Sequence, residues 1–297
     1  MIQDIAPWRF GNEFLSASPS DGDNVLDVTA EGLLLCKNGL RVPTVREWRA
    51  MNAGAGLVYA FRLTRREESE RSDAPMTERA CAEGREARFF LALRQGDDAP
   101  AAPSLWQRTP PSELRSQAAP LPLAAATAQH LAHWYATHRF CGRCGGPVRL
   151  SSKERALECP ACGEVIYPVI APCILAAVTN GDKLLLTRYA RPGATRLVLV
   201  AGFVEIGETA EQAAAREVME ETGLRIKNLR YAGSQPWGFS GTMAVGFFAE
   251  LDGPEDIRLD TSELAEARWV KRADIPSCPD DSSLTMNMIS RFARGEV

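Results

Sequence analysis

Histidine is scarce in this 297-residue chain, with three residues only, His130, His133 and His138. Beyond position 138 no imidazole is available, so chemistry in the C-terminal half must run on carboxylates, thiols or bound water. An excess of positive charge is also missing: 34 Lys and Arg stand against 38 Asp and Glu, a formal charge of −4. That removes the electrostatic case for a dedicated DNA-binding protein, while leaving room for a small nucleotide or one RNA end. No stretch reaches the roughly 18 apolar residues that a membrane helix needs. Met1 to Phe14, carrying Asp4 and Glu13, does not read as a signal peptide. The expectation is a cytoplasmic protein with no membrane partner. No internal repeat of fixed period is present.

What is there is an ordinary globular composition, 45% hydrophobic and 24% charged, over a length that suits two domains and a small module. Short apolar runs in the first 95 residues (Leu33 to Leu35, Leu57 to Phe61, Phe89 to Leu93) suit a strand-rich domain. The charged stretch Arg65 to Arg71 reads as solvated. Prolines at 100, 103, 110, 111, 120 and 122 mark a linker. Leu123 to Arg139 reads as a helix packing through Leu131, Trp134 and Tyr135, with the three histidines at its surface. The divisions are 1–122, 123–167 and 168–297. In the last of these, Asn180-Gly181 separates the runs Cys173–Val178 and Leu184–Leu186, a hairpin signal in which both turn residues take positive φ. Further strands are expected at 197–200, 229–233, 242–251 and 267–271. Thr209 to Thr222 is the clearest helix, with a capping box from Thr209 to Gln212 and Gly223 as its stop.

The chain has eight cysteines, and four of them form two CxxC pairs, Cys141/Cys144 and Cys159/Cys162, fourteen residues apart. In a cytosolic setting such pairs favour metal over disulfide. Two knuckles, eased by Gly142, Gly145 and Gly163, supply the four thiolates of a tetrahedral Zn²⁺ site. A closed four-sulfur shell leaves no open position, so the zinc is structural. A redox dithiol would not need two copies. The module is only modestly basic, with Arg139, Arg143, Arg149, Lys153 and Arg155 against Glu154, Glu158 and Glu164. A nucleic-acid-binding adaptor remains the rival reading.

On the 209–222 helix, Glu217, Glu220 and Glu221 fall at i, i+3 and i+4 and share one face. Arg216, the first available cation, points in an adjoining direction. Three stacked carboxylates are either a solvated acidic face or a site for hard divalent cations, Mg²⁺ or Mn²⁺. Ahead of them Gly202 and Gly207 flank a loop ending in Glu208, where glycine permits close approach of backbone.

Gly202, Glu208 and Arg216-Glu217-Val218-Met219-Glu220-Glu221-Thr222-Gly223-Leu224 match the Nudix box in register over 23 residues. The chain is similar to the NADH pyrophosphatase (NAD diphosphatase) family of Nudix hydrolases. Supporting features are the four-cysteine ribbon just upstream, Tyr167-Pro-Val-Ile-Ala-Pro-Cys173, and Ser234-Gln235-Pro236-Trp237 ten residues past the box. The resemblance spans roughly 130–275. It implies an α+β chain: an N-terminal mixed α/β domain, a small zinc ribbon, and a C-terminal Nudix α/β/α sandwich. It implies that Arg216 orients a glutamate and that Glu208 fixes the loop to the helix. The implied Mg²⁺ or Mn²⁺ shell is the Ala201 carbonyl with Glu217, Glu221 and Glu263. Tyr167 and Phe203 would contact or stack on a base, and Gln235, Pro236, Trp237, Gly238, Phe239, Ser240, Gly241 and Thr242 would line the dinucleotide pocket. Arg115 is a further substrate position by the same resemblance, and so is Thr285, although it stands where the family usually has a small residue and Ser282 to Ile289 fits the family pattern poorly. Where the family continues Pro-Phe-Pro, this chain has Gly238-Phe239-Ser240, which should loosen that loop.

The resemblance therefore implies a homodimeric NADH/NAD pyrophosphohydrolase that releases nicotinamide mononucleotide and AMP, and that also removes NAD caps from RNA. With no histidine beyond His138, the base is Glu220 or Glu221, or a metal-bound hydroxide. ADP-ribose as substrate, or a zinc-ribbon regulator that binds nucleotide without cleaving it, are the alternatives.

Overall fold

Ile174, Ala176 and Val178 face one side of a strand while Leu175 and Ala177 face the other, and all five are buried. A strand apolar on both faces has to lie inside a sheet covered on both sides. In the computed structural model, which describes residues 1–51, 55–65, 86–94, 102–275 and 282–297, that is where it sits. Cys81, Cys278, Pro100 and most of the charged stretch 65–71 lie outside the described residues.

The chain forms two compact units. One comprises Ile2–Val169 with Gly238–Ser240; the other comprises Met1, Ile170–Trp237 and Gly241–Val297. In the first unit the early strands are β1 (Trp8–Gly11), β2 (Asn24–Leu26), β3 (Val28–Thr29) and β4 (Gly32–Cys36). Helix α1 (Val45–Met51), β5 (Gly56–Arg65), β6 (Glu86–Leu93) and β7 (Trp106–Thr109) follow. They build a β1-β5-β6-β2 sheet and a β3-β4-β7 sheet. Helix α2 (Leu121–Thr137) buries Leu123, Ala124, Ala125, Ala128 and Leu131 in the same core as Leu33, Phe61 and Leu91. Its histidines behave as surface groups: His133 is exposed, His130 Nε2 donates to Val169 O at 2.8 Å, and His138 Nδ1 to Trp134 O at 2.9 Å. The ribbon strands β8 (Arg149–Leu150), β9 (Leu157–Glu158) and β10 (Val165–Ile166) form a small antiparallel sheet in the order β10-β9-β8.

The second unit holds β11 (Ala171–Asn180), β12 (Lys183–Tyr189), β13 (Val200–Phe203), α3 (Ala210–Thr222), β14 (Ile226–Trp237), β15 (Thr242–Leu251), β16 (Leu264–Lys271) and α4 (Leu284–Ala293). The sheet runs β14-β15-β11-β12-β16, with β13 paired to β11, and β11 parallel to β15. Helix α3 buries Ala213, Ala214 and Val218 against one face; α4 buries Leu284, Met288, Ile289 and Phe292 against the other. This is an α/β/α sandwich, and the chain as a whole is α+β. Among the described residues no helix is long and apolar enough to cross a membrane.

The β11–β12 hairpin differs in detail from the sequence expectation. Asn180 pairs with Lys183, so the turn residues are Gly181 and Asp182, and of the Asn-Gly pair only Gly181 takes positive φ, at 61°. Glycine at the first central position suits the other hairpin turn that matches strand twist, so Asn180 can stay in the ladder.

Candidate active site and zinc module

Helix α3 owes its position to both of its ends. Thr209 Oγ1 accepts from Gln212 N at 3.2 Å while Gln212 Oε1 accepts from Thr209 N at 2.9 Å, a reciprocal capping box. Gly223 stops the helix at φ 70°, in the left-handed region, and passes its N–H to Met219 O. With the Ala213/Ala214/Val218 stripe sealed on the sheet, Arg216, Glu217, Glu220 and Glu221 are carried along the flank beside β13. Gly202 of β13 leaves room for the Glu217 carboxyl where it stands, because a methyl group there would lie 2.0 Å from Glu217 Cδ and displace it.

Arg216 is not turned aside, as its sequence position suggests. Its Nε and Nη2 grip the two oxygens of Glu208 at 2.9 Å each, Nη1 reaches Glu217 at 2.8 Å and Glu220 at 2.9 Å, and Nη2 donates to Phe203 O at 3.0 Å. A planar guanidinium with five donors has the reach for this, and the helix brings i+1 and i+4 within it. Glu208, which also accepts from Glu205 N at 3.1 Å, is held below the usual carboxylate range by Arg216. The loop and the helix are thereby fastened together.

Glu221 is the carboxylate that Arg216 leaves alone. It is 3% exposed, and its Oε2 is buried without a hydrogen-bond partner. Burial pushes its pKa up to about 8, and the charges of Glu217, Glu263, Asp260 and Glu220 push the same way. A buried carboxylate facing four others is costly unless a cation joins them. The donor set is all oxygen, which is what a hard divalent cation takes. Glu217, Glu221 and Glu263 could hold such a cation, with the Ala201 carbonyl beside them on β13, opposite Leu175. These carboxylates are more widely spread than the thiolates below, and Glu217 is turned towards Arg216. Asp260 escaped the sequence reading. Its Oδ1 is fixed by Ser262 N at 2.8 Å and Ser262 Oγ at 2.6 Å, and those bonds keep it ionised. The readable signal was an acid three residues before Glu263. Tyr189 was missed as well. Partly buried, it is pushed up to about 12 by burial and by Glu221, Cys173 and Glu217.

The substrate positions implied by resemblance are distributed over both units. Phe203 is 55% exposed on the second unit. Tyr167, 54% exposed on the first, donates its hydroxyl to Glu154 at 2.9 Å. Arg115 ends a single 3₁₀ turn, its Nε on Ser112 O at 2.9 Å. Pro236 and Trp237 close β14 opposite Met243 and Thr242, and residues 238–241 make the turn, with Gly241 at φ 71°. Gln235 is turned inward. It is 2% exposed, its Nε2 donates to Ser282 O at 3.0 Å, and its Oε1 accepts from Leu284 N at 2.7 Å. Thr285 is the second residue of α4.

In the ribbon, the two knuckles repeat one geometry. Gly145 N donates to Cys141 O at 2.8 Å and Gly163 N to Cys159 O at 2.9 Å, while Cys141 N and Cys159 N donate to Gly146 O and Glu164 O, both at 2.8 Å. Gly145 and Gly163 take φ of 73° and 76°, but Gly142 does not need positive φ. The four sulfurs lie within 4.8 Å of one another, with Cys141–Cys162 at 3.6 Å and Cys144–Cys159 at 3.5 Å. Four sulfurs on a tetrahedron about 2.3 Å from zinc would be about 3.8 Å apart, so the cluster fits that ion. The Cys162 and Ala161 amides hold the Cys159 thiol down to about 7, while the neighbouring cysteines push Cys162 up to about 12, so without a cation the four sulfurs do not ionise together. The ribbon is a structural zinc site.

Comparison with known proteins agrees with this geometry. Residues 169–288 match the NUDIX domain, and residues 136–167 match the NADH pyrophosphatase zinc ribbon domain. The chain is 46% identical over 159 residues to proteins named NAD-capped RNA hydrolase NudC from Salmonella heidelberg (strain SL476) and Salmonella typhi. That match takes in 54% of this chain and 62% of each relative. A crystal structure of a NUDIX hydrolase from Nitrosomonas europaea superposes with a TM-score of 0.46 at 26% identity, covering 52% of this chain and 90% of that one. Residues 136–288 thus hold, in this order, a region that matches the NADH pyrophosphatase zinc ribbon and one that matches the NUDIX domain, with the box intact.

Proposed function

We propose that this chain hydrolyses the pyrophosphate of NADH or NAD⁺ to nicotinamide mononucleotide and AMP, and removes the same dinucleotide cap from RNA 5′ ends. The observation that carries the reading is Glu221, a buried carboxylate with an unpartnered oxygen among Glu217, Glu220, Glu263 and Asp260. The name of the Salmonella relatives, NAD-capped RNA hydrolase, supports the choice of substrate.

When bound, Mg²⁺ or Mn²⁺ would supply Lewis acidity for water and for the pyrophosphate charge. Glu217, Glu221, Glu263 and the Ala201 carbonyl are the residues that would hold it. Arg216 keeps Glu208, Glu217 and Glu220 in fixed places, so that little reorganisation is left for the reacting complex. Water adds to one phosphorus, Glu220 or Glu221 accepts its proton, and the bridging oxygen leaves with the other phosphate. Phe203 would offer an exposed aromatic face to a base. The protein is expected to act in the cytoplasm as a homodimer, which sedimentation equilibrium checks.

The test compares NADH, NAD⁺, ADP-ribose and an NAD-capped RNA side by side, with each cation, in the wild type and in Glu221→Gln. Cleavage of NADH or the cap in preference, lost by more than about a hundredfold in Glu221→Gln, is the expected result. Preference for ADP-ribose would keep the chemistry and move the specificity. Absence of cleavage would leave a nucleotide-binding regulator.

A further inference from the structure

Strand β12 does not run straight to its end. Its pairing with β16 shifts register between Arg188 and Tyr189. A β-bulge of this kind bends the strand and re-aims the side chains that follow, and such bulges concentrate beside active sites. The bent corner is tied to the acidic side of the unit, because Ala190 N donates to Glu263 O at 2.8 Å. Tyr189 is partly buried there, within electrostatic reach of Glu221, Glu217 and Cys173. Two residues on, Arg191 is exposed, and its guanidinium carbon lies 5.3 Å from the centre of the Tyr189 ring.

The other arginine at the site, Arg216, is fully engaged with Glu208, Glu217, Glu220 and Phe203 O. Arg191 has the opposite character. Among the described residues no carboxylate pairs with it, although five acids crowd the same side. Stacking a guanidinium on an aromatic face satisfies the flat side of the cation and leaves the N–H edge open. That edge is a fork matched to two oxygens of a phosphate. A fold that needed only to neutralise its glutamates would have paired this cation, whereas here a ring holds it with its donors unspent.

We propose that Arg191, propped by the Tyr189 ring, is a phosphate-binding residue of this site that takes the non-bridging oxygens of a nucleoside diphosphate. The proposal rests on the pyrophosphohydrolase reading and adds a specificity residue to it. Tyr189 is a positioning residue, acting through its ring and not its hydroxyl.

The experiment measures kcat and KM for NADH in the wild type, Arg191→Ala, Arg191→Lys, Tyr189→Phe and Tyr189→Leu. In parallel, ADP binding is followed by calorimetry without added divalent cation. Arg191→Ala is expected to raise KM and weaken ADP binding by about tenfold, as loss of a charged hydrogen bond does, while kcat stays within about threefold. Arg191→Lys should fall between, since a point charge replaces a fork. Tyr189→Phe should match the wild type, and Tyr189→Leu should match Arg191→Ala. A wild-type KM and ADP affinity in Arg191→Ala would overturn the proposal, and so would a change confined to melting temperature, which would make the pair a brace. If the wild type cleaves no pyrophosphate yet Arg191→Ala still weakens ADP binding, the hydrolase reading fails and the phosphate site stands.

Discussion

Arg216 contacts three carboxylates, and they are not equal. Its pair with Glu220, whose side chain is 58% exposed, belongs to the class of surface i,i+4 pairs that contribute only about 0.3–0.5 kcal/mol. The grip on Glu208, 14% exposed and bidentate, is the one that orders the loop ahead of α3. Arg216→Lys should therefore leave the melting temperature within about two degrees, since the pairs are near the surface. It should nonetheless lower kcat by about tenfold or more, because an ammonium cannot hold Glu208 and Glu217 in one plane. Equal kcat in the two proteins would mean that Arg216 is not a positioning group. Away from the site, Asp27 is fully buried in the first unit. It is hydrogen-bonded by Trp48 Nε1 at 2.8 Å and Arg94 Nε at 2.7 Å, with Arg108 beside it. Burial alone would raise its pKa, but Arg94, Trp48 and Arg108 together bring it below the unfolded value of 3.8. A lowered folded pKa gives stability that is complete above 3.8 and fades as pH falls through the folded value. Asp27→Asn should cost about 3 kcal/mol at neutral pH, because it removes the buried charge that both Arg94 and Arg108 face. In urea titrations that difference should shrink steadily below about pH 4, where the wild type loses the charge too. A difference that is flat from pH 7 to pH 3 would contradict the assignment.

At the scale of elements, the legible parts are those with local punctuation. Thr209, Gln212 and Gly223 define α3 without tertiary help, and the structure starts and stops the helix there. The i, i+3, i+4 carboxylates followed from that, as did the knuckles from CxxC. Illegible were features set by distant partners: the reach of Arg216, the bulge at Tyr189, and the inward turn of Gln235. The sequence expectation ends the strand at Gly233 and gives Gln235 to the dinucleotide pocket by resemblance; it cannot say that its amide is taken up by Ser282 O and Leu284 N. Those two bonds secure the start of α4, while Met288 of that helix packs so closely on β15 that a methyl at Gly246 would lie 2.5 Å from its sulfur. The end of β14 and the helix that begins with Leu284-Thr285 are thus one mechanical piece. Gln235→Leu removes both bonds and leaves two backbone groups buried and unpaired, a loss of about 2–4 kcal/mol. Gln235→Glu keeps the acceptor for Leu284 N but sets a buried carboxylate against Ser282 O, so a loss at least as large is expected at neutral pH. If Gln235 contacted substrate instead, the leucine variant would raise KM with melting temperature unchanged.

Over the whole molecule, the ribbon is where folding depends on a bound ion. Strands β8, β9 and β10 have two residues each, too few to stand as a sheet unaided. Its buried side chains amount to little beyond Cys141, Cys159, Ala156 and Leu157. One firm tie within its unit is Arg155, whose Nη2 donates to Ala60 O at 2.6 Å on β5, and that bond requires the ribbon turn to be formed first. Four thiolates gathered within 4.8 Å repel one another without a cation. Zinc must therefore contribute folding free energy directly, as it does in small metal-dependent domains. The carboxylate site, in contrast, stands on a sandwich with a continuous apolar core on both faces of its sheet. The expected consequence is a separation of two metals. Mass spectrometry of the purified protein should show one zinc retained through dialysis against a weak chelator, with Mg²⁺ or Mn²⁺ lost. A strong chelator, or Cys159→Ser, should then bring amide exchange across 141–166 to the rate of an open chain. The α3 amides should stay protected, since Ala213, Ala214 and Val218 remain sealed on their sheet. Loss of protection in α3 at the same chelator concentration would show that the zinc supports both units, and the division of labour between thiolates and carboxylates would have to be withdrawn.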